Sequence, residues 1–350
     1  MDSLGIGEAA GGHGWGITRH CVASVLFGAA LCVGGPAWAQ DGAVTLSIEN
    51  DVFTGSDDSY SNGFGASWVS RDITSYGQSS FIRRWARFWD ILPYVGDEGY
   101  TTYAAWSVVQ EMHTPADIGL EVPLASDQPY AGVLYVNSTL YARSDRWSHA
   151  WELKLGVVGP SAQADTVQRQ FHQLIGADEP MGWDAQLPDE PVANVGLTST
   201  YLWKEGGLGR SAQWRLLPVG SVSLGNYFTG VGAGMYGELG WNLVDAFGGS
   251  SLREGLSAAS TVGVGPVDGW SLSFFSGLSL HAVGYYLPLD GTMARDSRSV
   301  DSKPVVGSAS LGAAVRHGRW VLSLSLTDST KAFEGQDDGA EFGALSLSWF

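Results

Sequence analysis

Trp320-Val321-Leu322-Ser323-Leu324-Ser325-Leu326-Thr327-Asp328 and the last ten residues, Glu341-Phe342-Gly343-Ala344-Leu345-Ser346-Leu347-Ser348-Trp349-Phe350, decide the fold. Leu322, Leu324 and Leu326 alternate strictly with small polar residues, and so do Leu345, Leu347 and Trp349. A repeat of two puts one set on each face of a β-strand. Gly318-Arg319 separates Val305 to His317 from Trp320 to Asp328 and predicts a hairpin. Working back along the chain, nine further segments carry the strand pattern: Ala43 to Glu49, a strand entered through Tyr60 with Phe64, Ala66 and Trp68 on one face, Tyr103 to Met112, Ala131 to Arg143, Trp147 to Gly159, Val192 to Trp203, Trp214 to Leu224, Met235 to Val244, and Trp270 to Tyr286. The total is an even number of strands, each near the roughly 9–11 residues that a tilted strand needs to cross a bilayer. The pattern predicts an all-β fold, a twelve-stranded antiparallel transmembrane β-barrel with short helices in its loops.

Composition agrees. Trp (15), Tyr (13) and Phe (13) are plentiful and cluster near strand ends, as interfacial girdles do. The alternation ends in an aromatic tail of the kind that outer-membrane strands present to assembly machinery, although Phe350 falls on the opposite parity from Trp349. A soluble β-sandwich would explain the alternation, but not the closing Trp-Phe, the aromatic load or a mean hydropathy near zero. The net charge of −17 without any basic patch excludes nucleic acid as a partner. No stretch is long and apolar enough for a membrane-spanning helix.

Arg19 and His20 precede the apolar run Val22 to Val33, and Ala37-Trp38-Ala39 supplies an A-x-A cleavage site before Gln40. The expected organisation is a signal peptide over 1–39 and one barrel domain over 40–350, forming a monomer. The acidic, Gly-rich region before Arg19 points to a translation start downstream of Met1. Both cysteines, Cys21 and Cys32, fall in the signal segment, so the mature chain has no disulfide and no thiolate metal site.

Two segments break the strand rhythm. In Phe81 to Leu92, an apolar stripe of Phe81, Trp85, Phe88, Trp89 and Leu92 alternates with Arg83, Arg84 and Arg87. This amphipathic helix can lie on an anionic membrane surface, or it can plug or cover one barrel end. In Val167 to Gly176, Val167, Phe171, Leu174 and Ile175 give a helical apolar face, while Gln168 and His172 stand one turn apart on another face. Ser161 or Asp165 can cap its start, and Gly176 can close its end.

With the N-terminus in the periplasm, the loops after alternate strands, beginning with the first, are extracellular. One rim then collects Asn50, Asp51, Asp57, Asp58, Ser61, the loop His113 to Tyr130, Gln168, His172, Asp178, Glu179 and Asp184. Carboxylates and amide oxygens suit a hard cation such as Ca²⁺. His172 is the natural general base, and Ser61 or Asn50 can donate to an oxyanion. Each also has a plain reading: Asn50-Asp51 as a turn, Ser61 and the Asp57-Asp58 pair as solvated loop residues, His172 as a surface side chain, and His113 as structural or lipid-facing. G-x-S-x-G and H-E-x-x-H are both missing from the sequence.

Taken together, Ile48-Glu49-Asn50-Asp51, Asp58-Ser59-Tyr60-Ser61-Asn62-Gly63, Thr114-Pro115, Asp127-Gln128-Pro129-Tyr130-Ala131-Gly132 and Gln168-x-x-x-His172 with Gly182-Trp183-Asp184 resemble the outer-membrane lipid A 3′-O-deacylases. The resemblance covers the N-terminal half of the mature chain. It implies a twelve-stranded barrel and Ca²⁺-dependent hydrolysis of the ester-linked 3′ acyloxyacyl chain of lipid A, the anchor of lipopolysaccharide, at a site between the barrel wall and a helix from an extracellular loop. By motif, Asn50, Asp51, Ser61, His172 and Asp178 take the catalytic positions, and Asp51, Asp178 and Glu179 become the expected metal ligands. Ser61 stands where the family commonly has threonine, and Gln128 where it commonly has arginine. A non-catalytic pore, adhesin or assembly barrel and an outer-membrane phospholipase are the competing readings.

Overall fold

The structure is a computed structural model describing residues 42–51, 60–209, 211–244 and 264–350. The signal segment, Asp57, Asp58 and the side chain of Ser61 lie outside the described residues. The strands are β1 (Gly42–Asn50), β2 (Tyr60–Ser70), β3 (Thr101–His113), β4 (Ala131–Arg143), β5 (Trp147–Val158), β6 (Glu190–Tyr201), β7 (Lys204–Leu208), β8 (Ala212–Gly225), β9 (Phe228–Trp241), β10 (Val267–Tyr286), β11 (Val305–Gly318), β12 (Trp320–Ser329) and β13 (Glu341–Trp349). Three helices sit in loops: α1 (Phe81–Phe88), α2 (Ala164–Ile175) and α3 (Leu287–Asp290).

Every strand pairs antiparallel with its neighbour, and the terminal strands β1 and β13 pair from Val44↔Trp349 to Asn50↔Gly343. The ring closes where β6 meets β8, from Asn194↔Gly225 to Thr200↔Val219. Twelve strands therefore make the barrel. The five-residue β7, which the sequence pattern does not predict, extends the sheet beside the first residues of β8. Closure leaves the wall without a free sheet edge, as crossing hydrocarbon requires.

Alternation assigns the faces. Leu46, Val108, Val136, Leu155, Leu278 and Leu347 are exposed on the outside. Glu111, Tyr135 and Lys154 occupy the opposite parity and point inward. Tyr135 Oη donates to Glu111 Oε1 at 2.5 Å, and the Tyr227 hydroxyl donates to the other carboxylate oxygen. Lys154 Nζ sits 3.9 Å from the Tyr135 ring centre and 3.7 Å from that of Tyr227. Tyr227 immediately precedes β9, five strands around the ring from β3, so this group ties one side of the lumen to the other. Val109, Val133, Phe228 and Leu287 pack with it into a buried cluster.

One rim carries the chain ends, α1 and the β4–β5 turn. The other carries the loops 114–130, 159–189, 287–304 and 330–340. All the described residues that the motifs single out are at this second, loop-rich rim.

Candidate active site on the outer wall

β1 to β4 end together at the loop-rich rim. Registers Asn50↔Asn62, Asn62↔Met112 and Met112↔Gly132 place four side-chain positions in one row across the outer face. Phe64, Gln110 and Leu134 make the next row. Between Tyr60 and Asn62 the β2–β3 register slips by one residue, at Ser61.

α2 lies over this patch. Gly132 permits the approach: a Cβ there would come within 2.3 Å of Ala164 Cβ. Met112, Tyr130, Ala164 and Trp183 form the buried contact, with Phe64 and Val167 packed against it. Phe171 meets Phe64 edge-on, with ring centroids 5.5 Å apart. Gln110 Nε2 donates to Ala162 O at 2.6 Å and ties the chain entering the helix to the wall. A Cβ at Gly182 would come within 2.4 Å of the Tyr130 ring. Burial pushes the Tyr130 phenol up to about 12, so it stays neutral and donates to Ile118 O at 3.2 Å.

Only the first half of the face that apolar periodicity selects docks: Val167 and Phe171 meet the wall, and Leu174 and Ile175 do not. Ala164, Gln168 and His172 are the buried residues of α2, whereas Leu174 is 82 % exposed and Ile175 is exposed too. The reading of His172 as a solvated surface residue is thereby corrected: it is only 5 % exposed. Gly176 closes the helix at φ 74°, as expected. The expected caps are not used. Gln163 precedes the helix in a left-handed conformation without a side-chain cap bond, and Ser161 is bound instead by the Asp189 carboxylate at 2.8 Å.

His172 Nδ1 lies 2.5 Å from Asp178 O. A carbonyl only accepts, so Nδ1 carries the proton and Nε2 keeps its lone pair. Asp178 thus meets His172 through its backbone, while its side chain is exposed. Trp183 Nε1 donates to Gln168 Oε1 at 2.7 Å. Indole N–H is donor-only, which fixes the orientation of the Gln168 amide and leaves its Nε2 buried without a hydrogen-bond partner. Asn50 donates its amide to Asn62 Oδ1, and Asn62 Nδ2 is likewise buried and unsatisfied. A buried donor left unpaired costs about 1–3 kcal/mol. One of the two is on α2 and the other on β2, on the patch that α2 covers.

Asp51 is buried at the end of β1. Glu179 is half exposed and stands 3.9 Å from Arg169 Nε. Among the described residues no group of three or more His, Cys, Asp or Glu is close enough to hold a metal ion. His113 is neither in this patch nor lipid-facing: it points into the lumen, 3.4 Å from Glu111 Oε2. Gln128 is buried, donates to Thr114 O and lines a cavity of ≈ 90 Å³ under the 330–340 loop together with His113, His281 and Phe333. That volume falls well below the roughly 300–1,000 Å³ of small-molecule sites, so this cavity is too small for an acyl chain. Sequence reading passed over Asn62, Gln110 and Trp183 as site residues. For the first two the signal was available in strand parity, since both share the outward set with Phe64.

A closed barrel with a loop helix docked on its outer wall defines an outer-membrane protein whose candidate site faces the membrane rather than the lumen. The family model described as "Outer membrane protein LpxR" matches residues 23–350, and the chain belongs to that family, the one its motifs resemble. The solved structure titled "LpxR from Salmonella typhimurium" aligns with a TM-score of 0.71 at 18 % identity, over 88 % of this chain and 99 % of that one. The β domain of the Bordetella autotransporter Brka aligns over 88 % and 98 % at 8 % identity, with a TM-score of only 0.43. No curated protein matches the chain. The protein belongs in the bacterial outer membrane.

Proposed function

We propose that the protein is a lipid A 3′-O-deacylase that hydrolyses the ester of the 3′ acyloxyacyl chain between the outer wall of β1–β4 and α2. The observation that carries the reading is the buried Gln168–His172 face of α2, set against a wall of named motif residues. A substrate held in the outer leaflet reaches a site on the outer wall by lateral diffusion, and the exposed Leu174 and Ile175 turn an apolar surface to its acyl chains.

His172 Nε2 takes a proton from water, whose oxygen adds to the ester carbonyl. The Gln168 and Asn62 amide N–H groups are the donors available to the resulting oxyanion, and the motif assigns Asn50 and Ser61 to the same role. Collapse breaks the ester C–O bond, and the imidazolium returns its proton to the departing sugar oxygen. The Asp178 carbonyl steadies the cationic ring throughout. Calcium belongs to the same proposal. Asp51 is the buried carboxylate that fits a hard cation, with the amide oxygens of Asn50 and Asn62 near it on the wall and Asp178 or Glu179 as further oxygen donors. When bound, such an ion supplies a Lewis acid for the carbonyl oxygen.

Purified protein incubated with lipid A should release the 3′ acyloxyacyl chain, lose activity to a calcium chelator and regain it on adding Ca²⁺. Mass spectrometry of the lipid A reads the outcome. Resistance to serine-directed fluorophosphonates separates this water mechanism from a serine phospholipase, and planar-bilayer conductance with unchanged lipid A would favour a pore.

A further inference from the structure

α1 is not a plug. It folds back over the outside of the barrel at the rim carrying the chain ends. Trp85 Nε1 donates to Ser138 Oγ at 2.9 Å, and Trp151 Nε1 donates to Pro93 O at 3.1 Å. Ser138 and Trp151 share the outward parity of the exposed Val136 and Leu155. Ala86 of the helix and Val95 after it pack with Ala104 and Leu140 of the wall into a buried cluster. Ser80 caps its start by accepting from Arg83 N at 3.3 Å.

Beyond this seat the helix continues the aromatic surface of the wall. Trp68 stacks on Trp106 at 5.6 Å, Phe81 meets Trp106 at 5.8 Å, and Phe81, Trp85 and Phe88 stack in succession at 6.2 Å. Phe88 is 69 % exposed and Ile91 is 89 % exposed. Beside them Arg83, Arg84 and Arg87 make no ion pair with any of the described residues. Arg83 reaches Thr74 O at 3.3 Å, Arg87 donates to Gln78, and Arg84 has no partner among the described residues. The acids of the same loop are otherwise engaged or remote: Asp72 accepts from Thr74 N, Asp97 accepts from Tyr94 N, and Asp90 and Glu98 follow the helix. In a chain with 36 acidic and 19 basic residues, three arginines on one short helix without an acidic partner among the described residues are out of character.

We propose that α1 is a docking surface for the headgroup of an anionic glycerophospholipid in the periplasmic leaflet. The guanidinium groups face the phosphates, and Phe81, Phe88 and Ile91 enter the acyl boundary. The assignment of leaflet rests on the orientation adopted under the proposed function, in which the loop-rich rim is extracellular. α1 and α2 then sit on the same β3–β4 wall, one in each leaflet.

Native mass spectrometry of the full-length barrel, released from micelles supplemented with phosphatidylglycerol or phosphatidylcholine, tests this. Phosphatidylglycerol should be retained in preference to phosphatidylcholine. R83Q/R84Q/R87Q should lower its retention by about tenfold or more, since each arginine near an anionic surface contributes on the order of a few-fold or more. The corresponding triple lysine variant should keep it, and R295Q in an extracellular loop should change nothing. Equal retention of the two lipids, unchanged retention in the triple glutamine variant, or an equal loss in R295Q would overturn the proposal. Acyl release from lipid A is a separate readout on the same preparations, so failure of the enzymatic reading shows independently of failure here.

Discussion

Two buried polar clusters stand back to back across the thickness of β3. Inside, Glu111 has both carboxylate oxygens bonded, by Tyr135 on one and by Tyr227 and His113 on the other. Outside, one residue away in the chain, Gln110 holds the approach to α2, and Gln168 and Asn62 keep buried amide N–H groups without partners. The contrast separates a brace from a site. A polar cluster that satisfies itself ties strands together, whereas one that leaves donors open is a candidate place for a ligand.

This contrast can be broken by substitution, in decreasing order of expected effect. His172→Gln should lower acyl release by about 10³-fold or more, by removing the proton acceptor, while the barrel keeps its heat-modifiable mobility on gels. Gly132→Leu should cost about 10²-fold, because its side chain occupies the space of Ala164 and displaces α2 from the wall, a misplacement well beyond 1 Å. Gln168→Leu should cost roughly 10- to 100-fold in kcat with little change in KM, as expected for a donor that acts on the transition state. Trp183→Phe, which keeps the packing but frees the Gln168 amide to rotate, should cost less than Gln168→Leu. On the lumen side the sign of the comparison reverses. Lys154→Met leaves the buried Glu111 carboxylate without its nearby cation and should destabilise the barrel by about 3–5 kcal/mol, read as a lower midpoint in denaturant. The fraction that stays folded should release acyl chains at the normal rate.

Much of this was legible from the residues alone. Leu322 to Leu326 and Leu345 to Trp349 are strands in the structure, and the count of twelve wall strands holds. β9 begins at Phe228, well before the expected Met235. The reason is glycine: a Cβ at Gly230 would lie 2.5 Å from Ala282 O, and one at Gly232 would lie 2.7 Å from Ser221 Oγ, so crowding erases the inward half of the alternation. Which residues of α2 dock was not legible, for a different reason. Apolar periodicity finds the buried face only where the alternative is water. On a helix outside a membrane barrel, Leu174 and Ile175 gain nothing by turning to the wall, and Gln168 and His172 are enclosed beside Val167 and Phe171. The brace was invisible because Glu111, Tyr135, Lys154 and Tyr227 are brought together by closure of the ring, although charged residues at inward parity mark each of β3 and β5.

The central claim is that ester chemistry belongs to the outer-wall cluster and not to the lumen. It is tested most directly by mass spectrometry of lipid A after incubation with equal amounts of folded wild-type, His172→Gln and Glu111→Gln barrels. The account predicts loss of the 3′ acyloxyacyl chain with the wild type and with Glu111→Gln, and intact lipid A with His172→Gln. Release that survives in His172→Gln, or that disappears with Glu111→Gln in a folded barrel, would contradict it.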